Sequence, residues 1–537
     1  MGRETNISSI RALEKHIKEG KGDITKLKRA RNSLSNISTR VPPEILGYIF
    51  VWSLVREPGH SVYHWYFEGL RKGSYNFLLV CHHWFEVASH TPELWSFWGN
   101  TLQDWKKRHR CWVGSAPLDL VLDGHKSDPR VLLDDSLQGA IRSCVMQDTV
   151  RQVHLSSNDG DTLTSIISAL TPDNEGGQNE NIESIVLWVQ VFASVDASNF
   201  FARSRLSRLH LLYLSGRIQI SSWDHLAPRT TLLTTLSLDI SMPPPSSALP
   251  VAQLFSILMS NPNLRELSLA DAALPNDAHI STFKVQLSHL KVLSLTGEPR
   301  HLLGLLHQLI LPEVLDDMDL TGSGSTVEDI SQTLAPYMRD YFRRDTRFQG
   351  RLEVSSSSWY GSVSISVGVI CAQPTVLVHG SPRVSLTILG NLPLDAQEQL
   401  FIGLIALIPA EHVVRFDAEL NMKLPEELFF MMPNIEALRL ADVTLSEGFL
   451  QPNSGGPHAN TKLLPSLQTL RLRDVTLDNN DWSHLTTYLA HQTSDGQAIS
   501  LGVFGEFPDM CSEVVNEITD LVEEFTYQQD SRVERDE

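Results

Sequence analysis

The chain has 537 residues, 42% of them hydrophobic, and carries a formal net charge of −19. Such a length and apolar content can bury a large core in about two to four compact units. The acidic balance excludes a general nucleic-acid binder, which must neutralise phosphates with clustered Lys and Arg.

Residues 1–40 run against that balance, with ten Lys or Arg against four acids. This segment either contacts an acidic partner or presents solvated helix faces. Ile10, Leu13, Ile17, Ile24, Leu27 and Leu34 recur at helical spacing, broken at Gly20-Lys-Gly22. The spacing predicts an amphipathic helix or a two-helix hairpin over 1–40, with pairing of two copies through the stripe as the competing use. The N-terminus lacks the uninterrupted apolar run of a secretory signal, and Leu400–Ala410 is too short to cross a bilayer, so no membrane partner is expected. Five cysteines, Cys81, Cys111, Cys144, Cys371 and Cys511, lie scattered without a CxxC pair. They fit a reducing compartment, cytoplasm or nucleus, with neither a zinc site nor a disulfide scaffold.

A helix is predicted to start at Val41-Pro42-Pro43-Glu44, because proline at the first helical position loses no hydrogen bond and Glu44 suits the helix N-terminus. Its Ile45, Leu46, Ile49 and Phe50 form one broad apolar side. Val55–Asn76, with Pro58, Gly59, Gly69 and Gly73, reads as a loop. Phe77, Val80, Cys81, Trp84 and Ala88 then mark a second helix, and the chain turns at Thr91-Pro92 before Leu94-Trp95. Cys81, His82 and His83 are adjacent, but neighbouring helical residues point apart and cannot converge on one metal ion.

Beyond about residue 110 an apolar-x-x-apolar-x-apolar unit recurs. It begins at Val150, Ile182, Leu206, Leu233, Leu264, Leu290 and Leu315, and again at Ile435 and Leu467. Steps of roughly 24 to 32 residues between the first seven match the period of leucine-rich repeats. Each unit supplies one strand and cannot bury its apolar side alone, so neighbours must stack. The positions between the apolar ones face the other way and are the natural place for partner recognition. Candidates are Arg208, His210, Glu266, Ser268, Val292, Ser294, Arg439, Arg471 and Arg473, the last three forming a basic strip suited to an acidic or phosphorylated ligand. Less regular units are expected across 321–430, where the alternation Ser362-Val-Ser-Ile-Ser-Val367 also suits an inserted hairpin. Gly322-Ser-Gly-Ser-Thr reads as a turn, since it lacks the Gly-Lys-Ser/Thr of a phosphate loop. Val514, Val515, Ile518, Leu521, Val522 and Phe525 predict a capping helix over Cys511–Phe525, ahead of an acidic tail. No catalytic motif stands out, and neither a cofactor nor a metal is expected.

Val41-Pro42-Pro43-Glu44-Ile45-Leu46 with Ile49-Phe50, Val80-Cys81-His82-His83-Trp84 and Leu94-Trp95 resembles the F-box motif. The preceding Leu27–Arg40 looks like the leader of mushroom-type fungal F-box proteins. The family's usual leading Leu is Val41 here, and the motif carries an insertion at 55–76. The resemblance implies a fold: a helical F-box over 41–100, followed by an α/β leucine-rich-repeat solenoid, a horseshoe, over 101–510. A terminal helix and tail over 511–537 would complete it. The resemblance also implies a function: docking on a Skp-type adaptor, which joins a cullin and a RING subunit in an SCF ubiquitin ligase, while the repeats select an unknown protein substrate. It places adaptor contacts at Pro42, Pro43, Ile45, Leu46, Ile49, Val80 and Trp84, with Phe50, Cys81, Leu94 and Trp95 holding the helices together. The competing expectations are an interaction scaffold with no ubiquitin role, and a hydrolase or transferase, which needs a deep pocket of convergent titratable groups.

Overall fold

A computed structural model of the chain describes residues 12–16, 26, 41–54, 80, 82–95, 97–98, 117–123, 135–146, 149–172, 179–190, 193–240, 249–271, 284–312, 315–323, 336–337, 350–359, 362–371, 383–390, 403, 413–419, 423–424, 427–445, 463–477, 482–494, 496–505 and 512–528. Most of the N-terminal stripe, the 55–76 insertion, Cys81 and the tail after 528 lie outside them. The chain divides into two compact units, Met1–Leu233 with Ile240–Ser247, and Thr234–Asp239 with Ala248–Glu537.

The first unit opens with helix α1, Pro43–Leu54, whose first backbone bond runs from Leu46 N to the Pro42 carbonyl at 3.0 Å. Pro43 sits where its missing N–H has no partner to lose. Helix α2, His82–Ser89, packs beside it, and the turn Pro92–Leu94 closes the pair. Leu46, Phe50, Val87, Ala88, Leu94 and Trp95 are buried together, with Val41, Val51 and Trp84 packed at the margin. Removing each large side chain from water is worth about 2 kcal/mol, enough to hold two short helices that would not form alone.

Strands β1 (Phe97–Trp98), β2 (Leu118–Asp123), β3 (Val150–Ser157), β4 (Ser184–Val189) and β5 (Leu211–Ser215) then pair in chain order, all parallel. Helices α3 (Asp135–Met146), α4 (Gly160–Leu170) and α5 (Ser198–Arg203) connect them. Asp159 caps α4 by accepting from Asp161 N at 3.2 Å. Polar groups buried within the sheet need a hydrogen-bond partner. His154 is buried and its Nε2 lies 2.8 Å from Ser184 Oγ, and burial pulls its pKa from 6.5 down to about 3.

The second unit begins with β6 (Thr235–Ile240), β7 (Glu266–Asp271), β8 (Val292–Gly297) and β9 (Asp317–Ser323), with helices α6 (Val251–Ser260) and α7 (Pro299–Gln308) between strands. β7, β8 and β9 are parallel and in register: Leu293 stands beside Leu267 and Met318, and Leu295 beside Leu269 and Leu320. All six are buried. β9 next pairs parallel with β12 (Arg383–Gly390). β10 (Gly350–Trp359) and β11 (Ser362–Cys371) form an antiparallel pair, and β11 runs antiparallel to β12.

Parallel pairing resumes from β10 to β13 (Val413–Glu419), β14 (Ala437–Ala441), β15 (Thr469–Arg473), β16 (Ser500–Phe504) and β17 (Glu524–Gln528). Helices α8 (Glu427–Met431), α9 (Ser483–Thr493) and α10 (Ser512–Leu521) lie among these strands. The residue after each of three strands has positive φ: Asp442 at 53°, Asp474 at 49° and Gly505 at 124°. Each then donates its N–H to the end of the neighbouring strand, at Arg473, Phe504 and Gln528. Gly and Asp tolerate this conformation better than other residues, so their recurrence fixes where strands stop.

These observations correct the expected architecture. The chain forms an α/β fold built on a large, chiefly parallel sheet with helices, not a helical F-box followed by a leucine-rich-repeat horseshoe. The N-terminal helices lead straight into β1, which is itself a sheet strand. Within 350–390 the strands run antiparallel, which a uniform stack of parallel units does not contain. The recurrent apolar unit dictates a strand with one buried side; it does not dictate the connection, and connections set topology. Two smaller corrections follow. Gly322 and Ser323 belong to β9 and are not a turn. The terminal helix ends at Leu521, and Phe525 lies in β17, paired with Leu501.

Candidate functional sites

The outward side of the α1–α2 pair is the first candidate. Helix α1 has more large apolar side chains than one face can hold, so satisfying its inner side leaves some of them in water. Ile45 is 51% exposed, Tyr48 66%, Ile49 50%, Val80 52% and Phe85 41%. The inner side is fixed independently of these. The Phe50 and Trp84 rings sit 5.1 Å apart at 56°, and Trp95 Nε1 donates to the Ala88 carbonyl at 2.6 Å. Of the residues assigned to adaptor contact, Pro42, Pro43, Ile45, Ile49 and Val80 are exposed, Trp84 is half-buried against the core, and Leu46 is buried. Phe50, Leu94 and Trp95 are buried. Sequence periodicity missed Tyr48 and Phe85, which fall outside the motif's named positions. The unbroken run Ile45-Leu46-Gly47-Tyr48-Ile49-Phe50-Val51-Trp52, without a charged residue, was the available signal.

The second candidate lies on the sheet of the second unit. Asp417, Arg439 and Arg471 stand side by side in register on β13, β14 and β15, and Arg415, Ala437 and Thr469 form the row two residues earlier. Alternation puts both rows on the same side. They line a cleft of about 220 Å³ with Leu438. Arg415 Nε donates to both Asp417 oxygens, at 3.3 and 3.0 Å. Arg473, one step further along, pairs with Glu419 at 3.1 Å and stands 4.0 Å from Asp442. The basic strip read from sequence is therefore redistributed: Arg473 is held by carboxylates, while Arg415 joins Arg439 and Arg471. Arg415 was legible, since Val413-Val-Arg-Phe416-Asp-Ala418 repeats the apolar spacing with Ala in the last place.

The remaining recognition candidates are dispersed. Glu266, Ser268, Val292 and Ser294 occupy β7 and β8, with Ser268 beside Ser294, and Glu266 accepts from Thr235 Oγ1 at 3.2 Å. Arg208 and His210 precede β5, so they lie in the turn before the strand and not on its face. The repeat there is displaced by three residues. Leu209 takes the first apolar position, as the bond from His210 N to the Glu183 carbonyl shows, and Leu212 and Leu214 are the buried strand residues.

Among the described residues no group of three or more His, Cys, Asp or Glu could hold a metal ion, and no helix is long and apolar enough to cross a membrane. His82 pairs with Glu86 at 3.2 Å on the exposed side of α2, and Cys81 lies outside the described residues. His154, 1% exposed, is buried in the first unit's sheet. No protein-family model matches the chain, and no curated protein is similar to it.

Proposed function

We propose that the chain is a substrate-recognition subunit of an SCF-type ubiquitin ligase, working in the cytoplasm or nucleus. The α1–α2 pair docks on a Skp-type adaptor, which brings in a cullin and a RING subunit, and the sheet's open side takes a protein substrate. The observation that carries this reading is the exposure of Ile45, Tyr48, Ile49 and Phe85 on helices whose inner side is already packed, with Val80 exposed just before α2. Large apolar side chains concentrated on a folded surface call for a covering partner. The chain itself needs no catalytic group in this role. Ubiquitin transfer uses cysteines of other proteins, and this subunit raises the effective concentration of substrate near them.

A second reading, an interaction scaffold with no ubiquitin role, draws support from the burial of Leu46 and half-burial of Trp84. Those two motif positions serve the core here. A pull-down of the full chain separates the readings, comparing wild type with an Ile45→Asp, Ile49→Asp double variant by mass spectrometry. Recovery of adaptor and cullin by wild type only supports the receptor. Absence of both from the wild-type sample leaves the scaffold.

A further inference from the structure

We infer that the cleft among Arg415, Arg439 and Arg471 binds a phosphate monoester borne on a side chain of a partner protein. The assignment of the phosphate to a protein rests on the receptor reading. The anion site itself rests on the cleft.

Arg439 and Arg471 occupy the same level of neighbouring parallel strands. Strands in a sheet lie about 4.8 Å apart, so the two guanidiniums emerge within reach of one tetrahedral anion. Neither makes a hydrogen bond or ion pair with another described residue. Arg415 is already turned toward the cleft, because Asp417 takes only its Nε and leaves both terminal nitrogens to donate. On the far side of Arg471, Gly502 is its register partner, and a Cβ there would stand 3.6 Å from Arg471 Cγ and 2.8 Å from the Phe504 ring. The glycine lets the Phe504 ring pack against this strand beside the Arg471 stem.

Charge decides between anions. Three guanidiniums against the single Asp417 carboxylate leave a surplus of two positive charges lining the cleft. A phosphate monoester carries close to two negative charges near neutral pH and presents three acceptor oxygens to forked donors. A carboxylate would leave one guanidinium unmatched. Size and surroundings decide the carrier. A cleft of about 220 Å³ is smaller than a typical cofactor pocket, and Glu419 and Asp442 flank it beside Arg473. These carboxylates, and a net charge of −19, repel a polyanion such as nucleic acid while accepting one isolated dianion.

The test immobilises the full-length protein and passes over it a degenerate phosphoserine peptide library, the same library with serine, and inorganic phosphate as competitor. Retention of the phosphorylated library should exceed that of its serine counterpart on the order of tenfold. That preference should vanish in an Arg439→Gln, Arg471→Gln double variant and survive in Arg205→Gln, at an exposed arginine of the other unit. Arg471→Lys, which keeps the charge but not the fork, should retain an intermediate preference. Equal retention of the two libraries overturns the proposal, as does a double variant that behaves as wild type while folded by circular dichroism. Displacement by inorganic phosphate as effective, mole for mole, as by phosphopeptide also overturns it, because the carrier then plays no part. Adaptor capture is scored in the same preparations: phosphopeptide preference without adaptor keeps this site and removes the ligase role.

Discussion

A Cβ on Gly47 would stand 2.8 Å from the Thr91 hydroxyl oxygen, which itself donates to the Val87 carbonyl at 2.8 Å. Glycine is otherwise a poor residue for the middle of an apolar helix, so its presence in α1 is explained by this approach. We expect Gly47→Val to destabilise the N-terminal unit by about 2 kcal/mol, overcrowding outweighing the gain in helix propensity. In a Thr91→Ala background the cost should fall by at least about half, since the obstacle is gone. Urea denaturation of the four proteins of that cycle checks the coupling; strict additivity would refute the steric account.

The inner and outer sides of α1 should respond oppositely to substitution. Leu46 is 1% exposed, and Leu46→Ala is expected to cost about 3 kcal/mol by leaving a cavity. Ile49 is half exposed, so Ile49→Asp should change stability by no more than about 0.5 kcal/mol. Under the receptor reading only the second change acts directly on adaptor capture by a folded chain. Parallel denaturation and pull-down measurements distinguish the two sides. If Ile49→Asp unfolds the unit, the outer side is core and the docking surface is misplaced.

How much of this could be read beforehand follows from what each signal encodes. The apolar spacing at Leu264, Leu290, Leu315, Ile435 and Leu467 located strands but not their arrangement, because burial of one strand side is a local property of residue type. At Leu206 the same pattern misled. Leucine at 206, 209, 211, 212 and 214 offers several registers, and only the turn bonded through His210 selects one. The antiparallel β10–β11–β12 section was visible as alternation in Ser362–Val367, but alternation does not say which strand is the neighbour. Strand ends were legible in principle from Asp442, Asp474 and Gly505. Their significance emerges only when the positive φ and the bond to the next strand are seen together. The arginine cleft depends on register between strands some thirty residues apart, which composition cannot supply: Arg473 looked equivalent to Arg471 until Glu419 claimed it.

Acid should weaken the first unit through His154. Burial holds this imidazole at about 3, against 6.5 for the ordinary group. Between those values the unfolded chain binds a proton that the folded chain refuses, so stability falls as pH drops from about 6.5 toward 3. The loss accumulates at about 1.4 kcal/mol per pH unit well below the upper value. A His154→Gln variant should lose that slope while keeping a hydrogen-bonding side chain toward Ser184. Denaturation midpoints of both proteins between pH 7 and 4 test it, and equal slopes would assign the acid sensitivity elsewhere.

A different pH response is expected from the Asp119–Arg151 pair. Arg151 Nε and Nη2 donate to the two Asp119 oxygens at 2.9 and 2.6 Å, a bidentate contact at the β2–β3 junction. Burial nevertheless raises the Asp119 pKa above 3.8, outweighing the hydrogen bond and charge of Arg151, which lower it. A raised folded value means that this group favours the folded state most below the unfolded pKa, and that the contribution is lost as pH rises through the folded pKa. Near neutral pH the carboxylate is thus a burden that Arg151 offsets. Arg151→Ala should cost about 2 kcal/mol at pH 7, because it strands a buried charge. It should also raise the Asp119 pKa further, so protonation relieves the variant sooner and its deficit relative to wild type shrinks at pH 4.5. Asp119→Asn keeps an acceptor for Arg151 without the charge and should cost less than Arg151→Ala at pH 7. Since His154 is present in both Arg151 proteins, its titration cancels in the difference. A deficit that is the same at pH 7 and 4.5 would mean that Arg151 stabilises the junction through packing of its stem, and not through the charge it neutralises.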